Sequence, residues 1–183
     1  DSELRTSIHT MSQVVASDAE QAEDSERRPA ARQDRAAEVF PLPLTPFERY
    51  MLEDDRADYP MTYAHVVDLR GPLDRQAMDT AALTAMARHP LTCAKVRTIG
   101  TQDCWTPGPP PKQPVRWHDV PPPRLPFGGE RVDPFAEYGF RIDGYNEGAD
   151  SYLVFSTHHA VTDGLGLLQI VGDVLAAYGR EKD

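Results

Sequence analysis

Residues 156–166 read STHHAVTDGLG, and this stretch decides the fold. The residues before it, SYLVF at 151–155, are mostly apolar or aromatic, which is typical of a buried strand. After it, five apolar side chains fall at helical spacing and form one stripe: Leu167, Val171, Val174, Leu175 and Tyr178. The stretch therefore predicts a strand, a loop carrying two adjacent histidines, and a helix.

The two histidines have different expected surroundings. Successive side chains of a strand point to opposite faces, so His158 and His159 cannot both face one small ligand. One is expected in the packed interior and the other at an opening. A neutral imidazole accepts a proton from a hydroxyl or amine near pH 7. Asp163 is placed to cap the following helix, and Gly164 and Gly166 permit a tight turn.

His158, His159, Asp163 and Gly164 form the pattern HHxxxDG. It resembles the signature of the condensation-domain-like, CoA-dependent acyltransferase superfamily. That superfamily includes nonribosomal peptide condensation domains, polyketide-associated acyltransferases, wax ester synthases and alcohol acetyltransferases. The resemblance implies that His159 is the general base or positions the acceptor. It also implies that His158 and Asp163 hold the loop, and that Gly164 leaves room for the donor's thioester end.

The resemblance also implies the architecture. We expect an α/β, chloramphenicol-acetyltransferase-like lobe with a mixed sheet packed against helices, one half of a two-lobe fold. The partners it implies are a C-terminal lobe from the same gene or a second chain, an acyl thioester donor, and an alcohol or amine acceptor. The donor is acyl-CoA or a phosphopantetheinyl thioester, with an acyl carrier protein as one possible source. It acts as a co-substrate rather than a tightly bound cofactor.

The partner of Asp163 is left open by the sequence. Many members of the superfamily carry an arginine that pairs with the motif aspartate, within a run resembling residues 88–95, RHPLTCAK. Here Cys93 falls where that arginine is often found. Lys95 is the first candidate partner and Arg141 the second, although lysine lacks the planar fork of arginine.

The amino-acid composition and net charge argue against several classes of function. The net charge of −10 and the pI near 5.0 argue against nucleic acid or an anionic membrane as the main partner. No apolar run approaches the length of a membrane span, about 20 residues. Cys93 and Cys104 are too few for a disulfide framework and favour two reduced cysteines in a cytoplasmic protein, with a pair across a hairpin as the alternative.

Two regions follow from the chain order. Residues 1–38 are polar and predict a disordered tail, and 39–183 predict the acyltransferase lobe. Within the lobe we expect a capped helix from Pro46 to about Arg56, with Phe47, Tyr50 and Met51 in the core. Alternation and periodicity then predict six further segments, in the order strand, helix, strand, strand, strand, strand: 63–70, 73–89, 91–99, 102–105, 138–145 and 151–158. Residues 106–126 are proline-rich and predict an irregular connector with a short strand near 115–117.

Other functions compete with acyl transfer. One is a lobe of a nonribosomal peptide condensation domain, and another is a non-catalytic module that docks a carrier protein or partner enzyme. A metal hydrolase using His158, His159 and Asp163 is disfavoured, because adjacent strand residues diverge and no further Cys/His cluster completes a ligand shell. We expect no metal site.

Overall fold

The computed structural model describes residues 40–119 and 130–182. Its elements in chain order are β1 (Leu42–Pro43), α1 (Pro46–Glu53), β2 (Thr62–Arg70), α2 (Arg75–Met86), a 3-10 turn (Pro90–Cys93), β3 (Ala94–Ile99), β4 (Gln102–Pro107), β5 (Val115–His118), β6 (Phe140–Glu147), β7 (Asp150–His158) and α3 (Gly164–Lys182). The expected polar tail, 1–38, and residues 120–126 of the proline-rich connector lie outside the described residues.

The main sheet has four strands in the order β2-β7-β6-β5. The strand that leads into the histidines, β7, lies between β2 and β6 and is antiparallel to both. On the far side of β6, β5 runs parallel to it. The sheet is therefore mixed, as expected. At one end of the sheet Thr62 pairs with His158, so β2 extends as far as the two histidines.

Helices α2 and α3 cover one face of this sheet. Leu153 and Phe155 of β7 are fully buried and belong to one cluster with Met78 of α2 and Leu167 and Val174 of α3. Burial of each such side chain stabilises the fold by about 1.5–3 kcal/mol. The helix that follows the histidines is thus held on the strand that precedes them, which fixes both ends of the intervening loop.

A second, three-stranded sheet in the order β1-β4-β3 supports the same loop from another side. Trp105 of β4 is fully buried in a cluster that includes Ala160 and Val161, the residues directly after the histidines. The indole Nε1 donates a 3.0 Å hydrogen bond to Glu48 of α1. Glu48 also completes the predicted capping box with Thr45, so α1, Trp105 and the loop are linked.

The structure corrects three details of the sequence prediction. Phe47 and Tyr50 are 63% and 54% exposed, so the expectation that they lie in the core is wrong. The apolar side chains of α1 that pack against the second core cluster are Met51 and Leu52. Residues 90–93 form a 3-10 turn rather than the start of a strand, and the helix predicted over 73–89 spans Arg75–Met86. Asp74 supplies the N-cap of that helix.

Two further observations concern the described part of the chain. Both cysteines, Cys93 and Cys104, are free thiols. No helix within 40–119 and 130–182 has the length and apolar character required to cross a membrane.

Candidate active site

The two histidines lie at the end of β7 and face opposite ways, as strand alternation requires. His158 is the last residue of the strand and is completely buried. His159 follows it, is partly exposed, and donates its backbone N–H to the carbonyl of Met61 at 2.8 Å. Its imidazole lies on the same side as Tyr63, so only His159 is available to a ligand from solution.

The buried imidazole of His158 closes the turn that presents His159. Its Nδ1 accepts a 3.0 Å hydrogen bond from the backbone N–H of Ala160. Since Nδ1 uses its lone pair as an acceptor, the proton of the neutral ring lies on Nε2. That Nε2 makes no hydrogen bond within the described residues and lies 3.5 Å from Asp55 Oδ2. Burial lowers the pKa of His158, against the opposing effect of the Asp55 carboxylate.

Asp55 and Arg131 are neighbours of the motif that sequence reasoning missed. The side chain of Asp55 is only 4% exposed, and Arg131 binds it through Nε at 2.8 Å and Nη2 at 2.7 Å. Burial works to raise the pKa of the Asp55 carboxyl, but hydrogen bonds from Arg131 and from the Met61 N–H outweigh it and hold that pKa below its usual range. Asp55 is therefore an anion at neutral pH, beside His158.

The ring of His159 is placed by aromatic contact. It stacks on Tyr63 with ring centroids 4.2 Å apart, and the Tyr63 hydroxyl donates to the carbonyl of Thr162 at 3.1 Å. Burial lowers the pKa of His159, although the Asp163 carboxylate opposes this effect. Burial and the same carboxylate raise the pKa of Tyr63 to about 12. Near pH 7 the site therefore contains a neutral imidazole and a neutral phenol.

Asp163 caps α3 as predicted. Its Oδ1 accepts a 2.7 Å hydrogen bond from the backbone N–H of Gly166, in the first turn of the helix. A side chain at Gly166 would collide with the hydroxyl of Thr162, so this glycine is needed for close approach. A Cβ at Gly164 would meet no atom within 4 Å. The space in front of Gly164 is open, and the fold of this chain does not itself require glycine there.

Neither candidate cation lies against Asp163 in the described part of the chain. Lys95 donates to the carbonyl of Ala136 at 2.7 Å, with its Nζ 5.4 Å from the ring centroid of Tyr138. Arg141 pairs with Asp143 at 3.2 Å and with two glutamates, Glu130 and Glu137. The predicted pairing of Asp163 with Lys95 or Arg141 is thus not formed here. The ion pair that lies against the motif is instead that of Asp55 and Arg131, beside His158.

Comparison with solved structures identifies the architecture. The X-domain in its complex with OxyB from teicoplanin biosynthesis matches with a TM-score of 0.67 and 18% identity, over 78% of this chain and 33% of that one. The starter condensation domain of rhizomide synthetase RzmA, a mutant form, matches with a TM-score of 0.62 and 14% identity, over 74% and 36%. The fold is that of a condensation-domain lobe.

A third structure, the first condensation domain of the CDA synthetase, matches this lobe with a TM-score of 0.60 and 15% identity over 75% of this chain and 40% of that one. The chain thus spans between 33% and 40% of the length of these three structures. No family model matches the sequence. No curated protein matches it either.

The condensation-domain-like lobe offers no metal centre in the part that the structure describes. Across 40–119 and 130–182, no three His, Cys, Asp or Glu side chains are grouped so as to hold a metal ion. A metal hydrolase built on His158, His159 and Asp163 therefore has no ligand set here, since Nδ1 of His158 is hydrogen-bonded and Asp163 caps a helix.

Proposed function

We propose that this lobe takes part in acyl transfer from a CoA or carrier-protein thioester to a hydroxyl or amine, with His159 as the general base. The acceptor oxygen or nitrogen attacks the thioester carbonyl as its proton moves to the imidazole of His159. The tetrahedral intermediate then collapses, the C–S bond breaks, and the leaving thiolate takes up the proton held by His159, which restores the neutral imidazole. The products are an ester or amide and the free thiol.

The state of the His159 ring is the observation that carries this proposal. Within the described residues, its imidazole nitrogens have no hydrogen-bond partner, although its backbone is fixed by Met61 and its ring is stacked on Tyr63. Burial keeps its pKa low, so the ring is neutral and ready to accept a proton at neutral pH. A general base of this kind contributes about 10²–10⁴ in rate. An ordinary packed histidine would have its ring nitrogens hydrogen-bonded.

The open space at Gly164 supports the position of the donor. A Cβ there would meet no atom within 4 Å, so the glycine leaves open space directly after Asp163, five residues along the chain from His159. The thioester end of an extended donor fits beside a residue without a side chain. In this proposal Asp163 holds the helix N-terminus and the loop, and takes no proton itself.

The chain spans only 33–40% of the three solved structures that it resembles, so we propose that a second lobe completes the site. A binding pocket for the acyl donor that lies between two lobes forms only when both lobes are present. The isolated 183-residue chain should therefore show little turnover with acyl-CoA or acyl-carrier donors, and the complete two-lobed protein should form ester or amide product. Equal turnover by the isolated chain would contradict the need for a second lobe. Absence of transfer by the complete protein with every thioester class would contradict the function.

A second candidate function is a docking module without catalysis. The match to an X-domain solved in complex with OxyB favours it, because that domain binds another protein. This chain also exposes large apolar side chains on two helices, Phe47 and Tyr50 of α1 and Leu165 and Leu168 of α3. Exposed apolar groups of this size are typical of interaction surfaces.

Binding and turnover separate the two candidates. A docking module should bind a carrier protein or partner enzyme with the same affinity after His159→Ala, and should form no product in any thioester assay. A transferase lobe should lose product formation with that substitution. Replacing Phe47 and Tyr50 by serine should weaken partner binding in the docking case and leave the chemical step unchanged.

A further inference from the structure

The buried carboxylate of Asp55 lies beside His158 and is linked to His159 through the backbone of Met61. Its Oδ2 lies 3.5 Å from Nε2 of His158. A hydrogen bond of 2.9 Å joins its Oδ1 to the backbone N–H of Met61, and the carbonyl of that same residue accepts the N–H of His159 at 2.8 Å. A single residue, Met61, thus connects the Asp55 carboxylate to the backbone of His159, and the same carboxylate lies beside the ring of His158.

Arg131 fixes the carboxylate from the opposite side. Its Nε donates to Oδ2 at 2.8 Å, and its Nη2 donates to the backbone carbonyl of Asp55 at 3.2 Å while lying 2.7 Å from Oδ2 as an ion pair. Arg131 is half-exposed, whereas the Asp55 side chain is almost completely buried. The two residues are 76 positions apart, so this contact brings together the loop before β2 and the segment that precedes β6. Hydrogen bonds from Arg131 to Oδ2 and from Met61 to Oδ1 together hold the carboxylate in one orientation.

Among the residues that the structure describes, the groups that face the Asp55 carboxylate are all hydrogen-bond donors. Met61 offers a backbone N–H, Arg131 offers its guanidinium with Nε bonded to Oδ2, and His158 offers Nε2–H because its Nδ1 accepts from Ala160. Only a group with acceptor oxygens alone satisfies all of them. Among the described residues, Nε2 of His158 is the one buried side-chain polar atom that makes no hydrogen bond. The carboxylate that faces it, at 3.5 Å, is that of Asp55.

We propose that Asp55, with Arg131 as its counterion, is the positioning residue of this site: it keeps the His158 ring in the Nε2–H form and thereby holds the turn that aims His159 at the acceptor. Only the expected effect of Asp55 on the transfer rate rests on the proposed transferase function. The geometry it describes belongs to the fold and is measurable without substrate. Loss of this positioning should lower the transfer rate by about 10²-fold, the typical cost of displacing a catalytic group by about 1 Å.

Asp55→Asn is the sharpest variant because it keeps the size of the side chain and removes its charge and its acceptor-only character. The amide N–H₂ of the variant must face a donor, either Met61, Arg131 or His158. If the amide N–H₂ faces Arg131 and His158, the His158 ring either loses its facing acceptor or moves its proton to Nδ1, which breaks the bond from Ala160. If it faces Met61, the bond to the backbone N–H of the residue that holds His159 is lost. Both outcomes loosen the turn on which His159 sits.

Asp143→Asn is the matched control. Asp143 is also buried, binds Arg116 at 2.9 Å and contacts His118 Nε2 at 2.7 Å. It pairs with Val154 of β7, four residues before His158, so it lies about 13 Å away along the strand. This variant removes a comparable buried charge without touching the motif, and separates loss of stability from loss of positioning.

The test is a ¹H–¹⁵N spectrum of the histidine side chains in the full 183-residue chain. The unmodified protein should show His158 as a single Nε2–H tautomer. Asp55→Asn should give a mixture of tautomers and a shifted His159 signal, and Asp143→Asn should leave both histidines as they were. If Asp55→Asn fails to fold, Arg131→Gln, at a half-exposed position, should shift the His158 signal in the same direction. Unchanged signals from His158 and His159 in the folded variant would overturn the proposal.

The rate measurement distinguishes this inference from the proposed function. If the complete protein transfers no acyl group but Asp55→Asn changes the tautomer of His158, the function fails and the positioning stands. If the complete protein is active and Asp55→Asn lowers kcat by less than about twofold, the positioning role fails and the function stands. The expected result is a fall in kcat of about 10²-fold with KM nearly unchanged.

Discussion

The ring of Tyr63 lies flat against the ring of His159, with centroids 4.2 Å apart and planes 28° from parallel. The phenol hydroxyl, at the other end of the same side chain, binds the carbonyl of Thr162 within the motif. One tyrosine on β2 therefore fixes both the ring of the proposed base and the loop that follows it. Aromatic pairs of this kind contribute about 0.5–1.5 kcal/mol beyond their buried area.

Tyr63→Ala should lower transfer by the complete protein and raise the pKa of His159 toward its usual value, because the burial that depresses this pKa is lost. Tyr63→Phe keeps the stacked ring and removes only the hydroxyl bond to Thr162, so it should retain most activity. Side-chain NMR titration measures the pKa, and initial rates measure transfer. Equal effects of alanine and phenylalanine would contradict a role for the stacked ring.

Stability should fall when the pH drops below the ordinary histidine range. Burial lowers the pKa of both His158 and His159 in the folded protein. Below about pH 6.5 the unfolded chain therefore binds more protons than the folded one, and the free energy of unfolding decreases with decreasing pH. Denaturant unfolding between pH 8 and 5 measures this slope. The lowered pKa values of Asp55 and Asp143 act in a separate window, below about pH 4.

His159→Gln provides the control for that pH dependence, since it removes one of the two contributions at a partly exposed position. Its slope between pH 7 and 5 should be smaller than that of the unmodified protein. Stability that stays constant or increases from pH 7.5 to 5.5 would show that the two histidines are not buried in their neutral form.

Gly164 of the motif and Gly166, two residues later, should respond differently to substitution by alanine. Gly164→Ala meets no atom and should leave stability unchanged, or raise it by up to about 1 kcal/mol at this helical position. The added methyl group should nevertheless lower kcat/KM, because it enters the volume proposed for the thioester. Gly166→Ala meets the Thr162 hydroxyl and should destabilise the fold. Thermal unfolding and kcat/KM separate these effects, and full activity of Gly164→Ala would contradict the donor position.

Glu48 should contribute more to the free energy of unfolding than its position on an exposed helix suggests. It accepts from the Thr45 backbone N–H at 2.6 Å and from the fully buried Trp105 at 3.0 Å. Glu48→Ala leaves the indole N–H unpaired and removes half of the capping box, so it should cost about 1–3 kcal/mol. Glu53→Ala, at the other end of α1, should cost little. Urea unfolding followed by tryptophan fluorescence measures both, and equal costs would contradict the link through Trp105.

The local features of the motif could be predicted from sequence because they depend on residues close together in the chain. Alternation placed His158 and His159 on opposite faces, and the position of Asp163 before an apolar stripe predicted its cap on α3. The mixed sheet followed from the resemblance carried by HHxxxDG. These predictions needed no knowledge of which strands pair.

The charged support of the motif could not be predicted, since it joins distant parts of the chain. Asp55 lies in an acidic run, EDD at 53–55, whose members look alike in sequence, and only the fold buries one of them. Arg131 reaches it from 76 positions away. The exposure of Phe47 and Tyr50 was missed for a related reason: periodicity shows that α1 has apolar residues, but the fold selects Met51 and Leu52 rather than Phe47 and Tyr50 for packing.

The account depends most on His159 acting as the base, and the turnover of His159→Ala in the complete two-lobed protein tests this directly. His65→Ala is the matched control, because His65 is also a partly buried histidine in contact with Tyr63, at 6.2 Å between ring centroids. With both variants folded, His159→Ala should lower kcat by about 10²–10⁴-fold and His65→Ala should stay close to the unmodified rate. Undiminished turnover by His159→Ala would contradict the proposed mechanism.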